Sequence, residues 1–104
     1  KKSNMFLCYE GNELVGQITV LRLANKIYEI KNLSIYESYQ GKGYGSIAIK
    51  LCIDYIKSKP FGSSNDVILT CNIDNSIAIH IYEKIGFKDT GEGDDNELVM
   101  KLVV

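Results

Sequence analysis

The sequence predicts a mixed α/β (α+β) domain: a mostly antiparallel sheet with one central parallel β-α-β crossover. Three observations carry this. Short apolar runs bounded by turn residues open and close the chain, a helix-period stripe fills residues 44–58, and an unbroken apolar run follows it. Strand, helix and buried strand in that order imply parallel strands joined across the helix. With 104 residues, one domain (1–104) can close a single core.

The elements follow in order. Met5 to Tyr9 reads as a strand, Glu10-Gly11-Asn12 as a turn, and Leu14 to Leu23 as the returning strand of an antiparallel hairpin. Ala24-Asn25-Lys26 turns the chain into a third strand, Ile27 to Tyr36. In the helix of residues 44–58, Ile47, Ala48, Leu51, Cys52, Tyr55 and Ile56 form one face, with Lys50, Asp54 and Lys57 opposite. Ile49 and Ile53 widen the stripe, as expected where a sheet covers the helix, and Pro60 and Gly62 end it. Val67 to Cys71 is continuous enough to predict a strand buried on both faces. Asn75 and Ser76 stand at an N-cap, Ile77 to Ile85 forms a second helix, and Gly86 takes its C′ position. Phe87 to Thr90 and Glu97 to Val104 are the last strands, joined by the acidic turn of residues 91–96. In the second of them Leu98, Met100, Leu102 and Val104 face one way.

Composition narrows the function. Net charge is −1 with both signs dispersed, so the basic face that nucleic-acid binding requires is missing and no nucleic-acid partner is expected. No apolar run approaches the roughly 20 residues of a membrane span, and no signal-peptide pattern is read, so no membrane partner is expected. Cys8, Cys52 and Cys71 are widely spaced and form no cluster with histidine, which gives no metal site. They read as buried free thiols in a reducing cytoplasm, with a reactive Cys71 as the alternative.

The chemistry concentrates in Gln40-Gly41-Lys42-Gly43-Tyr44-Gly45-Ser46, between the third strand and the first helix. A glycine-rich turn there leaves several backbone N–H groups unpaired at the positive end of a helix dipole, an arrangement suited to a pyrophosphate. It is neither the nucleotide P-loop nor the G-x-G-x-x-G dinucleotide fingerprint. Read by itself, the turn has a plainer alternative, a flexible strand-to-helix connection.

A second stretch, Asn75-Ser76-Ile77-Ala78-Ile79-His80-Ile81-Tyr82-Glu83-Lys84-Ile85-Gly86-Phe87, decides between these. Together with Gln40-x-x-Gly43-x-Gly45 it resembles the GNAT superfamily of acetyl-CoA-dependent N-acetyltransferases. The first block resembles that family's Q/R-x-x-G-x-G/A turn, and the second its N-x-x-A-x-x-x-Y-E-K-x-G-F signature, in the family's order and from about Met5 to Val104. The resemblance implies a GNAT-like acyl-CoA N-acyltransferase fold. It also implies acetyl-CoA as co-substrate, no metal, and transfer of the acetyl group to a primary amine, small molecule or peptide, by direct attack.

The resemblance further implies roles. Backbone N–H groups of Gly41, Lys42, Gly43, Tyr44, Gly45 and Ser46, following Gln40, would hold the pyrophosphate. Leu33, Ser34 and Ile35 would run beside the pantetheine like an added strand, where the family has a bulge that opens a slot. Asn75 matches a residue that contacts the cofactor arm, and Tyr82 matches the general acid that protonates the departing thiolate. Glu29, six residues before Ile35, is the candidate general base. Pairing with Lys31 on a solvated strand is its bland alternative, and a water chain ending on another carboxylate or on Ser34 would serve equally well. His80 reads as a surface histidine.

Two departures stand out. Glu37 sits where the family often has proline. The family's initial strand and two helices are also lacking, so they lie outside this piece, or the acceptor site is open or completed by another subunit. Pairing of the exposed sheet edge with a second copy, a homodimer, would follow from that. A non-catalytic CoA-binding module and an RNA-binding α/β sandwich are the competing functions.

Overall fold

The computed structural model describes residues 2–23 and 26–104, so Ala24 and Asn25 of the expected second turn lie outside the described residues. The strands are β1 (Lys2–Glu10), β2 (Glu13–Arg22), β3 (Ile27–Ile35), β4 (Asp66–Asn72), β5 (Lys88–Asp89) and β6 (Glu97–Val103). The helices are α1 (Tyr44–Lys57) and α2 (Ser76–Ile85), and a 3-10 turn spans Glu37–Tyr39. The strands form one sheet in the order β1-β2-β3-β4-β6-β5. Among the strands of the described residues, β3 and β4 alone run parallel, which is the expected crossover through α1.

The core lies on the helix-covered face of the sheet. Ile18 and Val20 from β2, Tyr28 and Ile30 from β3, Val67 and Leu69 from β4 and Met100 from β6 meet Ile49, Cys52, Ile53 and Ile56 of α1. Alternation along each strand puts these residues on one side, as the period of two requires. Leu98, Leu102 and Val104 join them, so the final strand points as its pattern predicts.

Several elements differ from the sequence reading. β4 is buried on one face only: Val67, Leu69 and Cys71 are buried, whereas Ile68 is half-buried and Thr70 exposed. The run Val67 to Cys71 is apolar enough for a strand covered on both sides, but both helices pack on one. In α1 the buried residues are Ala48, Ile49, Cys52, Ile53 and Ile56, while Ile47 and Leu51 are exposed. The stripe is thus rotated toward Ile49 and Ile53. β5 shrinks to two residues because Phe87 turns inward and is almost completely buried.

The end of α2 explains Phe87. Gly86, at φ +124°, donates its N–H to the carbonyls of Tyr82 and Glu83, and the N–H of Phe87 bonds Tyr82 O at 3.0 Å. This six-to-one closure needs a positive φ at the glycine and drops the next apolar residue against the helix. The Tyr82 and Phe87 rings meet edge to face with centroids 6.3 Å apart. At the other end, Asn75 Oδ1 accepts from Ala78 N–H at 3.1 Å and caps the helix.

Tyr28 is the buried polar pivot beneath the parallel pair. Its ring is fully buried, its hydroxyl donates to Gly62 O at 2.7 Å, and it accepts from Phe61 N–H at 3.0 Å. The loop after α1 is therefore pinned to β3 from inside. Tyr28→Phe leaves both backbone groups without this partner and should lower stability by about 1–3 kcal/mol in urea unfolding. Asn75→Ala should cost about 1 kcal/mol through loss of the α2 cap, read in the same assay.

Candidate functional site

The geometry of the site begins with a strand that leaves its neighbour. β3 and β4 pair only through Ile27–Asp66, Tyr28–Val67 and Glu29–Ile68. Beyond that point β3 stays paired with β2 alone, and its register slips by one residue between Gln17 and Thr19. Asn32 stands opposite this slip with φ +55°, a left-handed conformation that asparagine tolerates better than most residues. The extra residue lets Leu33 and Ile35 line the helix-side cavity, while Tyr28 and Ile30 face the same side before the bulge. Gly16 permits the crossing, since a Cβ there would lie 2.2 Å from Ser34 O. The bulge expected near Leu33-Ser34-Ile35 is thus present, centred on Asn32.

The opening between the strands holds a cavity of about 170 Å³ whose wall includes Ile30, Asn32, Leu33, Leu69, Thr70 and Tyr82. A second cavity, about 330 Å³, runs from Leu33 and Ile35 along the glycine turn to α2. Leu33, Ile49 and Tyr82 belong to both walls, so Tyr82 stands at the junction. Burial, and secondarily the Cys71 thiol, push the Tyr82 hydroxyl above its usual range, so the phenol keeps its proton at neutral pH.

The turn is set by its backbone conformation. Gly41 and Gly43 have φ +79° and +86°, and no atom lies within 4 Å of a Cβ placed on either, so backbone conformation alone selects glycine there. Gly43 is the N-cap of α1 and makes no side-chain cap bond. The first bond of the helix runs from Ile47 N–H to Gly43 O, which leaves the N–H groups of Tyr44, Gly45 and Ser46 without intrahelical partners. Gln40 does not reach into the cavity as a free amide: its Nε2 donates to Ile35 O at 2.9 Å and ties the turn to the end of β3.

The residues named from sequence divide as follows. Leu33, Ile35, Gln40, Gly41, Gly43, Tyr44, Gly45, Ser46 and Tyr82 share the larger cavity wall. Ser34, Lys42 and Asn75 are not part of that wall; Ser34 is exposed, and the Oδ1 of Asn75 is engaged in the helix cap. Glu29 lies in the last parallel pair, half-buried, and alternation places it on the sheet face opposite Tyr28 and Ile30. It is therefore close to the opening along the strand but not in either cavity wall. His80 is exposed, as read. Among the described residues, no group of three or more His, Cys, Asp or Glu is placed to hold a metal ion.

Sequence reasoning missed Tyr39, Ile49, Ile77, Ala78 and Ile81, which complete the larger wall. The signal for the helix residues was available: positions 77, 78, 81 and 82 fall on one face of α2.

Comparison with known proteins places this geometry. The sequence model described as the acetyltransferase (GNAT) family matches residues 1–87. A mycothiol acetyltransferase from Corynebacterium efficiens is 31% identical over 87 residues, covering 84% of this chain and 28% of that protein. The uncharacterized N-acetyltransferase YvbK of Bacillus subtilis is 32% identical over 90 residues, 85% of this chain and 55% of its own length. The chain therefore spans between about a quarter and about half of these relatives. Among solved structures, a GNAT family acetyltransferase from Elizabethkingia anophelis with acetyl-CoA bound superposes with a TM-score of 0.85 at 18% identity, over 98% of this chain and 76% of that one. The PaiA N-acetyltransferase of Thermoplasma acidophilum, in complex with coenzyme A, gives 0.82 at 20% identity, over 98% and 61%. With the family model covering 87 of its 104 residues, this chain belongs to the GNAT family of acetyltransferases.

Proposed function

We propose that this chain transfers the acetyl group of acetyl-CoA to a primary amine, with Tyr82 as general acid. The observation that carries the reading is the position of Tyr82, where the cavity along the glycine turn meets the opening between β3 and β4. Structures of family relatives hold coenzyme A or acetyl-CoA, which supports the same ligand here. Gly41 to Ser46 bind the pyrophosphate through main-chain N–H groups, and Leu33 to Ile35 offer the pantetheine an unpaired strand edge. Ser34 takes part through its backbone, since its side chain is exposed.

In the reaction the amine nitrogen forms a bond to the thioester carbonyl carbon, and the carbon–sulfur bond then breaks. Tyr82 gives its phenolic proton to the departing thiolate as the carbon–sulfur bond breaks. Glu29 accepts the proton lost from the amine, through water, since it lies on the far side of the sheet from Tyr82. The amine enters from that side, through the opening beside Thr70. Proteins similar to this chain are named as a mycothiol acetyltransferase, a spermidine/spermine N-acetyltransferase and a ribosomal-protein-S18-alanine N-acetyltransferase, and the acceptor class here stays that of a small or peptide amine. Three free cysteines suit a reducing, cytoplasmic setting. Pairing of the outer edge of β1 with a second copy is the homodimer this reading allows, and its test is solution mass.

Release of free thiol from acetyl-CoA in the presence of an amine panel tests the activity. Tyr82→Phe should slow turnover by about 10- to 1000-fold with cofactor affinity nearly unchanged; unchanged turnover removes the acid role. Binding of acetyl-CoA with no acetylation of any amine would favour a non-catalytic CoA-binding module instead. Glu29→Gln should lower kcat/KM at neutral pH by about 100-fold, and a loss below about threefold would assign the proton to a water chain not ending at Glu29.

A further inference from the structure

The hydroxyl of Tyr39 donates a hydrogen bond to Glu13 Oε2, across 26 positions of sequence. Tyr39 ends the 3-10 turn, one residue before Gln40, and its ring forms part of the cavity wall along the glycine turn. Glu13 opens β2, directly after the β1–β2 turn. The contact therefore gives the segment leading into the glycine turn a side-chain link to the hairpin.

Other observations set this contact apart from a chance surface bond. The hairpin places Glu13 opposite Glu10, and like charges at facing strand positions repel. A carboxylate kept at that position is satisfied by the Tyr39 hydroxyl instead. The bond to Glu13, followed by burial, raises the Tyr39 hydroxyl above its usual range, which fits a phenol held to its proton. Tyr39 is also packed from the turn side: its ring meets Tyr44 edge to face at 6.3 Å, and Lys42 Nζ lies 5.8 Å from the ring centroid. Residues 36 to 40 are further tied by Tyr36 N–H to Val15 O at 2.9 Å and by Gln40 to Ile35 O. Beyond Gln40 come two glycines at positive φ and a helix start with no side-chain cap. The most permissive stretch of backbone in the site thus follows directly on an anchored segment that includes the Tyr39 ring.

We propose that Glu13 is a positioning residue for the cofactor turn: by holding Tyr39 it fixes the 3-10 turn against the hairpin, so that the N–H groups of Gly41 to Ser46 converge on a diphosphate. This rests on the diphosphate reading of the turn. The contribution is preorganisation, since a turn already ordered loses less freedom when its ligand arrives.

Amide relaxation of the unliganded chain tests the latch without any ligand. In the wild type, order parameters of the Gly41, Gly43 and Gly45 amides should stand near about 0.85; in Glu13→Ala and in Tyr39→Phe they should fall toward about 0.6. Calorimetric titration with acetyl-CoA should then show Kd raised about fivefold to tenfold in either variant, with the loss appearing in KM rather than kcat. Glu13→Gln keeps an acceptor oxygen and should stay near wild type, and the double variant should be no worse than either single one. Unchanged order parameters in the glycine amides overturn the proposal. So does a general fall in melting temperature with unchanged Kd, which would make the contact merely structural. A fall of the glycine order parameters in both variants, with no binding of acetyl-CoA by the wild type, would uphold the latch and strike down the diphosphate reading, so the two fail separately.

Discussion

The site depends on the parting of two parallel strands. β3 and β4 share only three residue pairs before the bulge at Asn32 turns β3 away, and every functional element is placed by that divergence. A parallel sheet normally satisfies each strand on both edges. Here β3 beyond Glu29 keeps one edge bonded to β2 and presents the other to a cavity. Buried backbone groups seek partners, so an extended ligand with amide groups of its own is the natural occupant of such an edge. The divergence also separates the residues proposed as acid and base: Tyr82 lines the opening from α2 on one face, and Glu29 belongs to the other.

The energetics of this departure are local. The slip of one residue keeps apolar side chains on the helix face both before and after the bulge, so core burial is retained although the ladder is broken. Gly16 lets the strands cross where any larger residue would clash with Ser34 O. The closed part of the sheet, around Tyr28, Val67 and Met100, is packed and internally bonded. The open part holds the candidate site. Rigidity and access are therefore segregated along the same two strands, a distribution seen wherever a site is set on a stable frame.

Much of this was legible in the residues. The helix periods, the glycine at the end of α2 and the order of strands follow from side-chain pattern and backbone preference, and the two motifs located the turn and Tyr82. The extent of β4 burial was not legible, because an apolar run records tolerance of burial and not which neighbours arrive; Thr70 was its one discordant residue. The bulge had a signal in the change of phase from Tyr28 and Ile30 to Leu33 and Ile35, although a phase change alone does not say which strand carries the extra residue. Asn75 illustrates another limit: the same side chain suits a helix cap and a ligand contact, and only the structure shows its oxygen bonded to Ala78. The contact of Tyr39 with Glu13 joins distant segments and leaves no periodic trace at all.

The uncapped start of α1 carries a thermodynamic corollary. Most helices satisfy their first amides from within, with a side chain worth about 1 kcal/mol. In this one no side chain fills that place, so under the proposed reading the diphosphate itself supplies the acceptors, and its occupancy feeds back on folding as mass action dictates. On that reading, heat tolerance is indexed to the supply of the proposed ligand.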